Sequence, residues 1–225
     1  MKKETKATLE NLLSSFQKHA NPYQAERMKA YMRNMFDFYG LQKDKRAELT
    51  TPFLKELVAS SDENIDEIVK FLWQQPYREC QYVAMEYIMK VHKKWTPATL
   101  GLFEYMIEEK SWWDTVDFVA SSLVGKLLQK YPNMIMSSVE RWDNENKFWF
   151  HRTTLIFQLK YGAKTDQHLL FAQCEKYLSS KEFFMQKAVG WALRQYSKFN
   201  AEAVRKFVDA HQLSTVSIRE AKKYL

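Results

Sequence analysis

Glycine and proline are scarce in this chain, and their scarcity restricts its fold more than any other feature of the sequence. Only five of each occur among 225 residues, whereas average usage would give roughly 16 glycines and 11 prolines. Both residues interrupt helices, so most of this chain is free to form one helical segment after another. We therefore predict an all-α fold.

Apolar residues recur at spacings of three and four in segments of ordinary helix length. Polar turns and capping residues separate these segments. The predicted helices lie near 4–19, 22–38, 52–60, 63–74, 77–92, 97–109, 112–130, 133–141, 146–160, 166–178, 182–198, 201–211 and 215–223. Three of them are predicted to begin at a proline that follows a capping residue, in Asn21-Pro22, Thr51-Pro52 and Thr96-Pro97.

Short turns between consecutive helices indicate antiparallel neighbours. Helix pairs recur at about the length of HEAT or armadillo units, although no strict repeat consensus is visible. A HEAT-like helical-repeat solenoid, an α-α superhelix, is therefore the favoured architecture. It would form one domain over residues 1–225, with a basic concave face for an extended partner. A compact helical bundle is the alternative.

The chain carries 34 lysine and arginine residues against 27 aspartate and glutamate residues, which gives a net charge of +7. This basic excess is compatible with a polyanionic partner such as nucleic acid but does not require one. No apolar run follows Met1-Lys2-Lys3, and no stretch is long and apolar enough to span a membrane. Cys80 and Cys174 have neither disulfide nor metal spacing. These features favour a cytoplasmic protein without a membrane segment.

Asp117 is an acid for which the pattern of its helix offers no structural reason. Ser111 and Asp114 are interpreted as an S-x-x-D capping box at the start of that helix. Asp117 lies beyond the first turn, where the helix dipole gives little stabilisation. The buried stripe of the same helix is predicted to contain Trp112, Val116, Val119 and Leu123.

Asp117 lies on a different line of the helix, one turn after Trp113. The next residues along that line are Ser121 and Gly125, which are small. An acid and an indole beside small residues indicate an open slot. Such a slot suits a small ligand better than it suits a core.

Arg152 is unusual because its neighbours one turn away are all apolar. These neighbours are Phe148, Trp149, Leu155 and Ile156. An arginine on such a face is costly unless a polar or anionic group meets its head group. One interpretation is that it reaches water or pairs with a carboxylate. The other is that it binds a phosphate, because guanidinium presents a fork of donors to phosphate oxygens.

Trp191 lies away from the predicted core stripe of its helix. That stripe contains Met185, Val189, Ala192, Leu193 and Tyr196. Trp191 falls instead on the face with Lys187, Arg194 and Lys198. It either packs under the long stems of these side chains or is exposed for a ligand. Aromatic rings among basic residues are typical of surfaces that bind sugar, base and phosphate groups.

Other kinds of site have little support in the sequence. The five histidines form no metal-ligand spacing. A phosphate-binding glycine loop and the common nucleophile signatures are absent from the sequence. We therefore expect neither a metal nor another cofactor.

Three longer segments contain these residues. They are Trp112-Trp113-Asp114-Thr115-Val116-Asp117, then Phe148-Trp149-Phe150-His151-Arg152-Thr153-Thr154 with Gln158-Leu159-Lys160-Tyr161, and Gln186-Lys187-Ala188-Val189-Gly190-Trp191-Ala192-Leu193-Arg194. Through them, and more weakly through Arg78-Glu79-Cys80-Gln81-Tyr82 and Tyr31, the chain resembles the AlkD-like DNA alkylation repair glycosylases. The resemblance covers most of the chain and implies a fold of HEAT-like repeats.

The resemblance also implies an activity and a set of roles. Such enzymes excise N3- and N7-alkylated purines from duplex DNA, without flipping the base into a pocket. By position, Asp117 resembles the catalytic carboxylate, and Trp113 and Trp191 resemble the indoles that embrace the deoxyribose. Arg152 resembles the phosphate contact beside the lesion. The remaining implied DNA contacts are Arg194, Tyr31 and Lys187.

The expected chemistry agrees with these residue types. Alkylation at N3 or N7 gives the purine a positive charge, so the base leaves without a general acid. The positive charge then moves to the sugar, as in glycoside hydrolysis. One carboxylate stabilises that cation and orients a water, and indole faces add cation–π attraction. We expect a monomeric enzyme that acts on duplex DNA containing alkylated purines.

Two other functions remain open at this point. A non-catalytic DNA-binding member of the same fold would keep the basic groove but would have no use for Asp117 beside Trp113. A helical-repeat scaffold for proteins would need neither Trp191 among cations nor Arg152 among aromatic residues.

Overall fold

A computed structural model describes residues 1–59 and 65–225 of the chain. Helices account for nearly all regular structure in these two ranges, where the sole β-type pairing is an isolated bridge between Asp37 and Tyr77. The prediction of an all-α fold is confirmed. None of the helices in the described ranges is long and apolar enough to cross a membrane.

The chain separates into two compact units, residues Met1–Trp95 and Thr96–Leu225. The first contains α1 (Lys3–Lys18), α2 (Pro22–Tyr31), α3 (Lys43–Ala59), α4 (Ile65–Gln74), α5 (Arg78–Lys90) and a 3₁₀ turn, His92–Lys94. The second contains α6 (Thr99–Glu108), α7 (Trp113–Phe118), α8 (Gly125–Lys130), α9 (Ile135–Asn144), α10 (Phe148–Ile156), α11 (Gln167–Lys176), α12 (Phe183–Ser197), α13 (Ala201–Ala210) and α14 (Thr215–Ala221). The single domain over residues 1–225 and its basic concave face stay predictions.

A buried carboxylate organises the loop between α2 and α3 in the first unit. Glu79 on α5 is fully buried. Its oxygens accept hydrogen bonds of 2.9–3.1 Å from the backbone N–H groups of Tyr39, Gly40 and Leu41. Gly40 adopts φ = +83°, a conformation that disfavours residues with a Cβ.

The predicted helix at 22–38 is shorter in the structure. Asn21 caps its start as expected, with its side chain accepting from the Gln24 backbone N–H at 3.1 Å. The helix ends at Tyr31 because Arg33 and Asn34 have φ values of 55° and 60°. These left-handed residues cannot continue a right-handed helix.

The predicted helix start at Thr51-Pro52 is wrong. The helix α3 begins at Lys43 and contains Pro52 in its interior. Burial of Leu54 and Leu57 holds the segment in place although the proline removes one backbone hydrogen bond. The predicted boundaries at residues 60 and 63 lie outside the described residues.

One hydrophobic cluster of the second unit lies between α10, α11, α12, α13 and α14. The predicted core stripe of α12 is confirmed, because Met185, Val189, Ala192, Leu193 and Tyr196 are all buried there. The closest helix pair in this unit is α12 with α14. They meet at Gly190, where an added Cβ would lie 2.7 Å from the carbonyl oxygen of Ser217.

A π-helical turn, Val119–Val124, joins α7 to α8 and changes the predicted line of small residues. In this turn, the Ser121 hydroxyl donates to the backbone oxygen of Asp117 at 2.6 Å. Gly125 does not line a slot, because a Cβ there would lie 2.4 Å from the carbonyl oxygen of Phe157. The absence of a side chain at Gly125 instead allows close approach of the 3₁₀ turn Phe157–Lys160, which comes directly after α10. Turns of the π type often occur at functional sites.

Candidate active site

Asp117 and Arg152 form a bidentate ion pair in the second unit. Asp117 lies on α7 and Arg152 on α10. The Arg152 Nε donates to Oδ1 of Asp117 at 2.7 Å, and Nη2 donates to Oδ2 at 2.8 Å. The two side chains are 15% and 3% exposed, respectively. The pair is therefore largely withdrawn from solvent, where such charge-assisted bonds are strong.

A cluster of aromatic rings holds the far side of Arg152. The Arg152 Nη1 donates to the backbone oxygen of Phe184, at the start of α12. The Phe184 ring packs against Trp112 and Trp149, with ring centres 5.6 and 5.8 Å away. The Trp112 and Trp149 rings also contact each other, with ring centres 6.1 Å apart. The Phe184 ring also lies near the Arg152 guanidinium, with Cζ 5.9 Å from the ring centre. These contacts hold the guanidinium in position to bind Asp117.

Burial raises the pKa of Asp117 above the ordinary aspartate value. The loss of solvent is the largest cause, and the negative charge of Asp114 acts in the same direction. Hydrogen bonds and the positive charge of Arg152 lower the pKa but do not cancel the effect of burial. The ionised carboxylate is thus held in an environment that compensates its charge incompletely.

The predicted capping box is wrong. The Ser111 hydroxyl donates backwards to the carbonyl oxygens of Ile107 and Glu108, at 2.7 and 2.6 Å. It therefore closes the C-terminal end of α6. The N-cap position of α7 is Trp112, whose side chain makes no cap hydrogen bond. Asp114 stays in the first turn, where a negative charge is favourable.

The rest of the predicted α7 stripe is confirmed, because Val116, Val119 and Leu123 are fully buried. Trp113 begins α7, one turn before Asp117, and is half-buried. The indole and the carboxylate are therefore neighbours on one helix, as predicted. Trp113 keeps enough exposed surface to contact a ligand.

Trp191 is half-buried on α12, and of its three predicted cations the structure places Arg194 against the indole. The Arg194 Cζ lies 5.9 Å from the centre of the indole. Lys187, one turn earlier, lies 5.9 Å from the ring of Phe183, and Lys198 lies 4.8 Å from the ring of Tyr224. Cations and aromatic rings thus alternate along this face of α12.

A residue that the sequence did not single out joins this cluster. Glu220 of α14 accepts from Lys187 at 2.7 Å and also from Arg194. It is separated from them by 33 and 26 residues. These separations are too long for a helical sequence pattern to predict the contacts. The contacts become visible only when α14 packs on α12 in the structure.

The structure distinguishes between the two interpretations of Arg152. It shows the pairing with a carboxylate, and that carboxylate is Asp117. The phosphate contact stays a prediction. Tyr31, the remaining predicted DNA contact, ends α2 in the first unit and is 70% exposed.

Within the described ranges, no group of three or more histidine, cysteine, aspartate or glutamate residues is placed to hold a metal ion. Cys80 and Cys174 are both buried free thiols.

Comparisons with known proteins place this geometry in a family. The model of the DNA alkylation repair enzymes matches residues 12–225. The chain is also similar to the solved structure of a predicted DNA alkylation repair enzyme from Enterococcus faecalis. The two share 32% sequence identity, covering 92% of this chain and 96% of that chain, with a TM-score of 0.86. A search of curated proteins gives no match. The resemblance found in the sequence is confirmed, and the chain belongs to the DNA alkylation repair enzyme family.

Proposed function

We propose that this protein is a DNA glycosylase that excises cationic N3- and N7-alkylated purines from duplex DNA. Its substrates would include 3-methyladenine and 7-methylguanine, and its product would be an abasic site for base excision repair. It would act as a monomer in the cytoplasm. The observation that carries the proposal is the largely buried carboxylate of Asp117, paired with Arg152 and one turn after Trp113.

The charge of the lesion decides which catalytic groups are needed. When the glycosidic bond breaks, its electron pair stays on the purine nitrogen and neutralises the alkylated base. The deoxyribose C1′ is left with positive charge. A water oxygen then forms the new bond to it and releases one proton to solvent, which gives the neutral abasic sugar. The site has to stabilise this cation, and it has no need to protonate the leaving base.

Asp117 suits this task because burial raises its pKa more than the hydrogen bonds and charge of Arg152 lower it, so its negative charge is incompletely compensated. A positive charge that develops beside it is therefore strongly favoured in surroundings of low dielectric constant. The Arg152 fork also fixes both carboxylate oxygens before the substrate binds. Fixing them in advance avoids reorganisation during the reaction.

The half-buried indoles supply the second part of the mechanism. Trp113 lies on the same helix as Asp117, and Trp191 lies beside Arg194 on α12. Indole faces attract cations, so both can stabilise the positively charged sugar. We assign no residue to reading a base edge, and we infer that the lesion stays stacked in the duplex.

The proposed partner is duplex DNA. We assign the contacts with its sugar–phosphate backbone to Lys187, Arg194, Arg152 and Tyr31. Lys187 and Arg194 keep part of their side chains exposed beside Trp191. Phosphate contacts of this kind position the protein without reading the sequence. A non-catalytic DNA-binding protein is the rival function, and it gives no account of a largely buried Asp117 that is paired with Arg152 and lies one turn after Trp113.

A gel assay for abasic sites tests the proposed activity. The purified protein is incubated with a duplex that carries one 7-methylguanine, and alkaline cleavage reveals the abasic product. A matched duplex with guanine at that position is the control. We expect cleavage only at the alkylated base. A protein that binds both duplexes and cleaves neither would be a DNA-binding protein without this activity.

A further inference from the structure

Glu220 lies where three cations of the second unit converge. Its carboxylate accepts hydrogen bonds from Lys187 Nζ at 2.7 Å and from Arg194 Nη1. Lys223 Nζ donates to its two oxygens at 3.1 and 3.0 Å. The Glu220 side chain is buried. One negative charge is thus paired with three positive charges, and the cluster keeps a net positive charge.

Packing between α12 and α14 fixes the position of this carboxylate. Gly190 lies on α12, one turn from each of the two cations of that helix. A Cβ at Gly190 would lie 2.7 Å from Glu220 Cβ and 2.7 Å from the carbonyl oxygen of Ser217. The Ser217 hydroxyl also donates to the backbone oxygen of Gln186 at 2.8 Å. The backbones of the two helices therefore touch, and Glu220 has little freedom to move.

The two α12 cations that Glu220 holds lie on either side of Trp191 along the helix. The side chains of Lys187 and Arg194 are 40% and 21% exposed. Lysine has three N–H donors and arginine five. The contact with Glu220 uses one donor of each, so the exposed head groups keep donors for an anion outside the protein.

We propose that Glu220 is a positioning residue, which fixes Lys187, Arg194 and the adjacent Trp191 to receive the sugar–phosphate backbone of duplex DNA. The inference rests on the proposed function, because it requires the backbone to run along Trp191. Long basic side chains lose conformational freedom when they bind. A carboxylate that holds them beforehand reduces that loss.

A second role for the same contact makes the opposite prediction. Glu220 could act as a counter-charge that competes with phosphates for the two cations. Removing its charge would then strengthen DNA binding and make it more salt-dependent. Under the positioning role, removing the charge releases the cations and weakens the contacts, although the protein becomes more basic.

The variant Glu220→Gln separates these roles. We expect the slope of log Kd against log salt, measured with unmodified duplex DNA, to become shallower by about 1 to 2. We expect the single-turnover rate at saturating enzyme on 7-methylguanine DNA to fall about tenfold, because misplaced substrate costs rate. A slope that is unchanged or steeper, together with a wild-type rate, would overturn the positioning role.

Glu202→Gln is the matched control. Glu202 is exposed on α13 and pairs with Lys206 at 2.7 Å, four residues later. The substitution removes the same charge from the same unit without involving α12. We expect its excision rate and its salt slope to match those of the wild type. An equal loss in both variants would mean that net charge, not the position of Glu220, is responsible.

Gly190→Ala tests the position of Glu220 without any change of charge. The added methyl group pushes α14 away from α12, so we expect a lower rate and a shallower slope here as well. Thermal unfolding of each variant shows whether it is folded at the assay temperature. A folded Gly190→Ala protein with wild-type rate and slope would contradict the proposal. The slope on unmodified DNA tests the proposal even if the wild type releases no base, a result that would refute only the glycosylase function.

Discussion

Asp117 is largely buried and Glu220 is buried in the same unit, and their surroundings shift the pKa values of these two carboxylates in opposite directions. Burial dominates at Asp117 and raises its pKa, although Arg152 binds both oxygens. At Glu220, hydrogen bonds from Lys187 and Lys223 and the charge of Arg194 outweigh burial and lower the pKa to about 2. Asp117 is paired with one cation, which does not offset the effect of burial on its pKa. Glu220 is paired with three cations, which more than offset it.

This difference is the one that we expect between a catalytic group and a positioning group. A carboxylate whose charge is incompletely compensated gains most from a cation that forms beside it during a reaction. A carboxylate surrounded by three cations gains little from another, but it holds those cations in place. The predictions below test whether the two residues really differ in this way.

The largest effect is expected for Asp117→Asn. The amide is nearly isosteric and its oxygen can still accept a hydrogen bond from Arg152, so the fold and DNA binding should persist. The variant should nevertheless lose stability, because Arg152 is buried and loses its counter-charge. The positive sugar loses the carboxylate assigned to it, and removal of one such electrostatic contact typically costs roughly a hundredfold or more in rate. Asp114→Asn is the matched control on the same helix, and it should retain most of the activity. Single-turnover rates in the reverse order would show that the two carboxylates have been exchanged in our assignment.

Breaking the pair from the other side should reduce stability. Arg152→Gln leaves Asp117 buried without its counter-charge, which typically costs roughly 3–5 kcal/mol. The double variant with Asp117→Asn should recover part of that free energy of unfolding but none of the activity. In contrast, Lys223→Gln removes one of three cations from Glu220 and should cost about 1 kcal/mol or less. Denaturant unfolding measures the free energy of unfolding of all three variants. Equal losses of stability for Arg152→Gln and Lys223→Gln would contradict the proposed difference between Asp117 and Glu220.

The pH dependence should follow the raised pKa of Asp117. Catalysis needs the ionised carboxylate, so the excision rate should fall on the acid side at a pH above the ordinary value of 3.8. Arg152→Gln should move this limb to still higher pH, because Arg152 lowers the pKa. The stability that the raised pKa contributes is fully present below pH 3.8 and is lost as the pH rises through the folded-state value. Rates measured with Asp117→Asn correct for spontaneous depurination, and an acid limb at or below pH 3.8 would contradict the assignment.

The smallest effect concerns individual phosphate contacts. Lys187→Ala should weaken DNA binding uniformly across sequences and reduce the salt slope by about 1. Lys206→Ala, at an exposed lysine of α13, is the control and should leave the slope unchanged. Binding titrations at several salt concentrations measure both variants. Equal slopes for Lys187→Ala and the wild type would remove this lysine from the DNA surface.

The sequence predicted the elements of the site better than its contacts. Apolar periodicity located the helices of the second unit, and the position of Asp117 off the buried stripe marked it as unusual. The pattern could not show that Arg152 binds Asp117, because the two are 35 residues apart. For the same reason Glu220 gave no signal, although Gly190 could have indicated a close helix contact.

The errors near the site have local physical causes. The capping-box prediction treated Ser111 as the start of α7, whereas its hydroxyl closes the preceding helix. The small residues after Asp117 were interpreted with ordinary helical spacing, and the π-helical turn changes that spacing. Gly125 is small because the carbonyl of Phe157 approaches it, a tertiary contact that helix periodicity does not reveal.

Single-turnover excision from one duplex context that carries 7-methylguanine, a bulky N7-alkylated guanine or uracil tests the central claim most directly. If a charged sugar at Asp117 and the two indoles drive the reaction, both cationic lesions should be released at similar rates. Uracil should stay intact, because it is neutral and no proton donor is assigned to help it leave. Efficient uracil release would contradict the account, because it requires a proton donor or a base-binding pocket. A sharp fall in rate with the size of the alkyl group would also contradict it, because it requires an enclosing pocket.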